Sequence, residues 1–238
     1  DSLGMVQLGF DTTFPVTMDQ MISHAASVRR GAPNTFIVGD MPYMSYQTSN
    51  ADAIQNAGRF IKEAGCDCIK LEGAGDIICE RITNIVGAGV MVMGHIGLTP
   101  QFSAQLGGYK AQGKSADAAI KLLNEAKKLE EAGCWSILIE GVPAIVGKII
   151  TDNLNIPIFG IGAGPHTDGQ LLIYADMVGY YDDFKPKFVK RYGNVGELLL
   201  NCFQQYVSEV KNGTFPDEIE YSYTIKQAEI DKLNRIFE

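Results

Sequence analysis

Six short runs rich in Val and Ile recur along the chain between longer amphipathic segments, and nearly every run ends in a group that can do chemistry. They are 34–40 (NTFIVGD), 66–73 (CDCIKLEG), 90–97 (VMVMGHIG), 136–142 (SILIEGV), 156–164 (IPIFGIGAG) and 175–182 (ADMVGYYD). Each is near-continuously apolar, as strands of a parallel sheet covered on both faces should be. Between them, 51–65 and 115–133 read as amphipathic helices closing on a Gly suited to the C-cap position. This βα alternation allows two common single-domain answers, a doubly wound open sheet or an eight-stranded βα barrel.

The strand ends decide between them. Asp40, Lys70 with Glu72, His95, Glu140 and the Gly-rich turn after Phe159 stand at successive run ends. A barrel gathers such ends at one mouth around one small ligand, whereas an open sheet spreads them along a line. The expectation is a (βα)8 barrel, with 1–182 supplying its strands and helices and 183–238 a C-terminal helical extension. Six strands are legible where eight are needed, and 194–211 reads as a helix closing the fold beyond the last of them. The deficit falls at the front: Asp1 in DSLGM stands to an absent apolar run as Asp40 stands to TFIVG.

With 238 residues, 46% of them hydrophobic, the chain can bury the core of one large domain. Its net charge of -8 argues against non-specific binding to nucleic acid or to an anionic membrane surface, and so does the acidic setting of the basic cluster KPKFVKRY (185–192). No apolar stretch reaches the ~18 residues of a membrane span. The five cysteines are an odd number without a framework spacing, so a reducing, cytoplasmic setting is expected, and Cys66 and Cys68 lack the second pair a zinc site needs.

Asp1, Asp40 and Glu72 are hard oxygen donors at or near strand ends, the type that suits Mg²⁺; helix capping or ion pairing is the alternative for each. Lys70 and Glu72 are two apart in a strand and share a face, where burial demands that they pair with each other or hold a ligand. Glu140 ends SILIE and is placed to act as a general base or to support a neighbour. His95, in MGHIGLTPQ, is either an orienting group for a ligand or a hydrogen-bonded structural residue. His24 and His166 lack such context. GIGAGPHTDGQ (160–170) stands too late in the chain for a dinucleotide fingerprint and fits the seventh strand-to-helix turn of a barrel.

Taken together, DSLGM with DTTFPVTMDQM (1–21), GDMPYMSYQ (39–47), IKLEG (69–73), VMGHIGLTPQ (92–101), LGGYKAQGK (106–114), IPIFGIGAGPHTDGQ (156–170), QLLIYAD (170–176) and PKFVKRY (186–192) resemble one family, ketopantoate hydroxymethyltransferase. The resemblance implies a (βα)8 barrel of the phosphoenolpyruvate/pyruvate type and a large homo-oligomer, decameric in well-known members. It implies Mg²⁺ held by Asp1, Asp40 and Glu72, keto acid held by Asp1, Ser2, Asp40 and Lys70, and Glu140 as the base. The reaction it implies, in pantothenate and coenzyme A biosynthesis, is enolisation of 3-methyl-2-oxobutanoate and hydroxymethyl transfer from 5,10-methylenetetrahydrofolate to give 2-dehydropantoate.

The chain departs from the family pattern in two places. Gly141 stands where members commonly have Cys after the base, and the first strand, first helix and most of the second strand expected before DSLGM are absent here. More chain is therefore expected in front of Asp1, whose α-ammonium would otherwise oppose a cation at this site. Two rivals are a Mg²⁺-dependent keto-acid lyase or mutase of the isocitrate lyase type, whose Lys-Lys-Cys-Gly-His loop is not found, and a fragment without catalytic competence.

Overall fold

A computed structural model describes residues 1–238. In chain order the elements are α1 (Leu3–Val6), α2 (Met18–Gly31), β1 (Val38–Asp40), α3 (Asn50–Lys62), β2 (Cys68–Glu72), α4 (Asp76–Gly87), β3 (Met91–Gly97), a 3₁₀ turn (Pro100–Phe102), α5 (Ser103–Leu106), α6 (Ala116–Glu131), β4 (Ser136–Glu140), α7 (Ala144–Asn153), β5 (Ile158–Ile161), β6 (Gly169–Gln170), α8 (Tyr174–Met177), α9 (Val195–Asn212) and α10 (Gln227–Phe237). The strands form one six-stranded sheet in sequential order, every neighbour pair parallel, which curls as part of a barrel does.

The helices begin where the sequence supplies caps. Thr17 and Gln20 form a reciprocal capping box at α2, and the Ser49 and Ser115 hydroxyls accept from Asp52 and Ala118 amides at α3 and α6. The alternation along each strand then sorts side chains into two cores. Ile69, Leu71, Val92, Ile96, Ile137, Ile139 and Ile158 face the helices and pack with Phe60, Ile82, Ile85 and Leu129. Cys68, Met93, Leu138 and Ile161 face the other way and pack with Val38, Trp135 and Phe159 on the concave side. Helix α3 approaches so closely that a Cβ on Gly39 would lie 2.4 Å from Phe60.

Five of the six expected strands are present, β1 shorter than its apolar run. The sixth is not at 175–182. Tyr174–Met177 is a helical turn, with Tyr180 and Tyr181 amides returning to the Ala175 carbonyl. The sixth strand is instead the pair Gly169–Gln170, in register with Phe159 and Gly160. The Asp168 carboxylate accepts from the Ile158 amide at 2.8 Å, and the Asp168 amide donates to the Ile158 carbonyl at 2.8 Å. These bonds dock the returning chain on β5 before any apolar run begins.

The C-terminal expectation also needs correction. Helix α9 covers the expected range, but neither α9 nor α10 buries a residue, so these helices do not close the core. Leu198, Phe203, Ile236 and Phe237 on them are exposed. No helix is long and apolar enough to cross a membrane.

Candidate active site

Strand register brings the chemistry together. Asp40 pairs with Lys70 across β1 and β2, Glu72 with His95 across β2 and β3, and Gly97 with Glu140 across β3 and β4. In β1 to β4 the last side chain facing the concave side is polar (Asp40, Glu72, His95 and Glu140), while the residue two or four positions earlier is Val38, Cys68, Met93 or Leu138. The mouth is thus charged and its floor apolar. The sharp turn after β3 keeps this packing tight: Gly97 has φ +92°, and a Cβ there would lie 2.3 Å from the Glu140 carbonyl oxygen.

The charges interlock. Lys70 Nζ lies 2.6 Å from Asp40 Oδ1, and the Asp1 α-ammonium lies 2.5 Å from Asp40 Oδ2. Burial pushes the Asp40 carboxyl up, but Lys70 and the α-ammonium outweigh it and hold the group well below the usual carboxylate range. Burial likewise pushes Lys70 down, and the charges of Asp40, Glu72 and Glu140 outweigh it, so Lys70 is raised and stays a cation. His95 lies between two acids, with Nδ1 3.5 Å from Glu72 Oε1 and Nε2 3.3 Å from Glu140 Oε2. Burial and Lys70 lower His95, but the two carboxylates prevail and raise it. Neither ring nitrogen makes a well-directed hydrogen bond, so the imidazole is held by charge more than by geometry.

Every residue expected from sequence except Ser2 takes part in this network. Ser2 caps α1 through its backbone carbonyl, which accepts from the Met5 and Val6 amides, and its hydroxyl makes no capping bond. Two participants were not foreseen. Gln101, in the 3₁₀ turn after β3, donates from Nε2 to Asp1 Oδ2 at 2.8 Å and from its backbone amide to Glu72 Oε2 at 2.9 Å. Tyr46 donates to Gln101 Oε1 at 2.6 Å and accepts from the Glu72 amide at 3.1 Å. The only sequence signal for either was membership of the motifs GLTPQ and MSYQ. The loop between α5 and α6 reaches the end of β4, where the Gln112 amide donates to the Gly141 carbonyl at 2.9 Å.

The donor chemistry suits a hard cation, since Asp1, Asp40 and Glu72 bring carboxylate oxygens to one mouth. No three His, Cys, Asp or Glu side chains are gathered as a ligand set: Glu72 spends its oxygens on the Gln101 amide and toward His95, and Asp40 on its two ammonium partners.

Comparison with known proteins bears on the same residues. A family model described as ketopantoate hydroxymethyltransferase matches residues 1–218. Proteins named 3-methyl-2-oxobutanoate hydroxymethyltransferase from Clostridium acetobutylicum and Alkaliphilus metalliredigens are 54% and 56% identical, over 99% and 100% of this chain and 84% of each relative. Phosphoenolpyruvate phosphomutase from Streptomyces platensis subsp. rosaceus matches in structure with TM-score 0.52 at 14% identity, over 93% of this chain and 77% of that one, a likeness of fold alone. With strand-end acids, lysine and histidine in one mouth and relatives more than half identical along nearly the whole length, this chain belongs to the ketopantoate hydroxymethyltransferase family.

Proposed function

We propose that the protein is a 3-methyl-2-oxobutanoate hydroxymethyltransferase of pantothenate biosynthesis, converting 3-methyl-2-oxobutanoate, 5,10-methylenetetrahydrofolate and water to 2-dehydropantoate and tetrahydrofolate. The observation that carries this reading is the convergence of Asp40, Lys70, Glu72, His95 and Glu140 at the C-terminal ends of β1 to β4 in a member of this family. Asp1, Asp40 and Glu72 would hold Mg²⁺, which when bound supplies Lewis-acid polarisation of the keto group.

The protein's own residues supply the rest. Lys70, kept charged by three surrounding carboxylates, pairs with the substrate carboxylate or the developing enolate oxygen. The Ser2 hydroxyl and the Asp1 and Asp40 carboxylates border the same ligand. Glu140 accepts the proton from C3; the C–H electron pair becomes the enolate, which forms the new C–C bond to the methylene carbon of the folate. Both C–N bonds of the methylene bridge break: water supplies the oxygen of the new C–O bond, and the two folate nitrogens take up two protons, one from that water and the one Glu140 removed from C3. His95, between Glu140 and Glu72, orients the base.

The same reading includes three further features. A closed (βα)8 barrel is supported by six parallel strands in sequential order, and it would take two further strands between the free edges of β1 and β6. Self-association is supported by the apolar residues that α9 and α10 leave in water. Five free cysteines accord with a reducing cytoplasm. The test is folate-dependent formation of 2-dehydropantoate with Mg²⁺ supplied, by the wild type and by Glu140→Gln. Product formation by the first and its loss in the second is expected; no product from the wild type, or equal rates, contradicts the assignment.

A further inference from the structure

We infer that Gln101 is a positioning residue that fixes two mouth carboxylates at once and that Tyr46 sets its orientation. The inference rests on the keto-acid reading above and adds residues to it. Gln101 is buried, and its side-chain amide is fully used. Its two N–H groups donate to Asp1 Oδ2 at 2.8 Å and to the Met41 carbonyl at 2.9 Å. Its carbonyl oxygen accepts from the Tyr46 hydroxyl at 2.6 Å and from Gln47 Nε2 at 3.2 Å. Four bonds exhaust what a primary amide offers.

The orientation is determined by chemistry. A flipped amide would set its oxygen against the Asp1 carboxylate and the Met41 carbonyl, and its donors against Gln47 donors. Tyr46 enforces the choice: its oxygen accepts from the Glu72 amide, so its single proton goes to Gln101 Oε1, the shorter of its two donor contacts.

The consequence is a division of labour within each acid. Gln101 engages Oδ2 of Asp1 through its side chain and Oε2 of Glu72 through its backbone, leaving Asp1 Oδ1 unengaged by the protein and Glu72 Oε1 facing His95. One residue thereby aims two carboxylates from distant parts of the chain into one mouth. Misplacing such groups by about 1 Å costs on the order of 10²-fold in rate.

The experiment compares wild type with Gln101→Ala, Gln101→Glu and Tyr46→Phe, with Mg²⁺ supplied. Binding of 3-methyl-2-oxobutanoate is measured by calorimetry, exchange of its C3 hydrogen in D₂O by NMR, the KM for 5,10-methylenetetrahydrofolate in turnover, and thermal unfolding as a control. Gln101→Ala should weaken keto-acid binding about tenfold, as loss of a hydrogen bond to a charged group does, and slow exchange about 10²-fold, with the folate KM unchanged. Gln101→Glu, nearly isosteric, should be at least as impaired because its carboxylate faces that of Asp1. Tyr46→Phe should show a smaller loss with the same split.

Keto-acid affinity and exchange within about twofold of wild type in Gln101→Ala overturn the inference. So does a loss that merely tracks the melting temperature and strikes both substrates equally. If the wild type neither binds nor exchanges the keto acid, the proposed function fails and this inference falls with it; normal wild-type exchange with unaffected variants sinks the inference alone.

Discussion

Replacing Gly97 with Ala should damage stability and catalysis together, through one atom. Gly97 pairs with Glu140 across β3 and β4 and has φ +92°, a region an L side chain rarely adopts. The added Cβ would lie 2.3 Å from the Glu140 carbonyl oxygen and 3.1 Å from its amide nitrogen. Ordinary contact begins at 3.4 Å, so the Glu140 backbone must retreat by about 1 Å. It cannot do so freely, because that carbonyl accepts from the Leu98 amide at 2.8 Å. The left-handed conformation costs about 1–2 kcal/mol and overpacking about 1–3 kcal/mol, for a total of about 2–5 kcal/mol. A 1 Å shift of the base lowers turnover by about 10²-fold. Urea unfolding and steady-state kinetics read both effects. Gly58→Ala, inside α3 with nothing within 4 Å of the new atom, is the control and should stabilise by about 0.4–1 kcal/mol. A Gly97→Ala protein within about 1 kcal/mol of wild type and fully active would refute the reasoning.

Two other expectations concern titration and thiols. The Asp40 carboxyl is held low in the folded state, so its contribution is complete above the unfolded value of about 3.9 and fades as pH falls toward the folded value. The difference in urea midpoint between wild type and Asp40→Asn should therefore be flat from about pH 5 to 7 and shrink below about pH 4; a difference that grows on acidification contradicts the pairing with Lys70. Of the five free cysteines, Cys202 is exposed and Cys79 half-buried, whereas burial pushes the thiols of Cys68 and Cys134 up to about 11 and about 12. A thiol reagent at about pH 8 should modify Cys202 quickly, Cys79 slowly, and Cys66, Cys68 and Cys134 only after denaturation; early loss of Cys134 would mean that β3 and α6 do not pack as described.

Strands β2, β3 and β4 were legible because their apolar runs are long and the alternation within them carries the polar residues to one face. That periodicity also made Lys70, Glu72, His95 and Glu140 visible as one group before any register was known. Strand β6 was not legible, since Gly169–Gln170 has no strand pattern and is defined by what Asp168 bonds to. The apolar segment that drew the expectation, 175–182, contains Asp176, and its amides fold back on Ala175 instead of reaching β5. Gln101 and Tyr46 escaped for a different reason. Both are neutral, they stand 55 residues apart, and their value lies in a network that only the fold assembles. Helix α9 shows the limit from the other side: its amphipathic pattern fixed the helix and its range, but a pattern records an apolar face without saying what covers it.

The central claim is that this mouth takes the C3 proton from a branched keto acid and that Glu140 receives it. Exchange of the C3 hydrogen of 3-methyl-2-oxobutanoate into D₂O, with Mg²⁺ and no folate, isolates that step. The wild type should exchange it, and Glu140→Gln should bind the keto acid with little change in affinity while exchanging at least about 10²-fold more slowly. A wild type that binds the keto acid without exchange, or a Glu140→Gln protein that exchanges at the wild-type rate, would contradict the account.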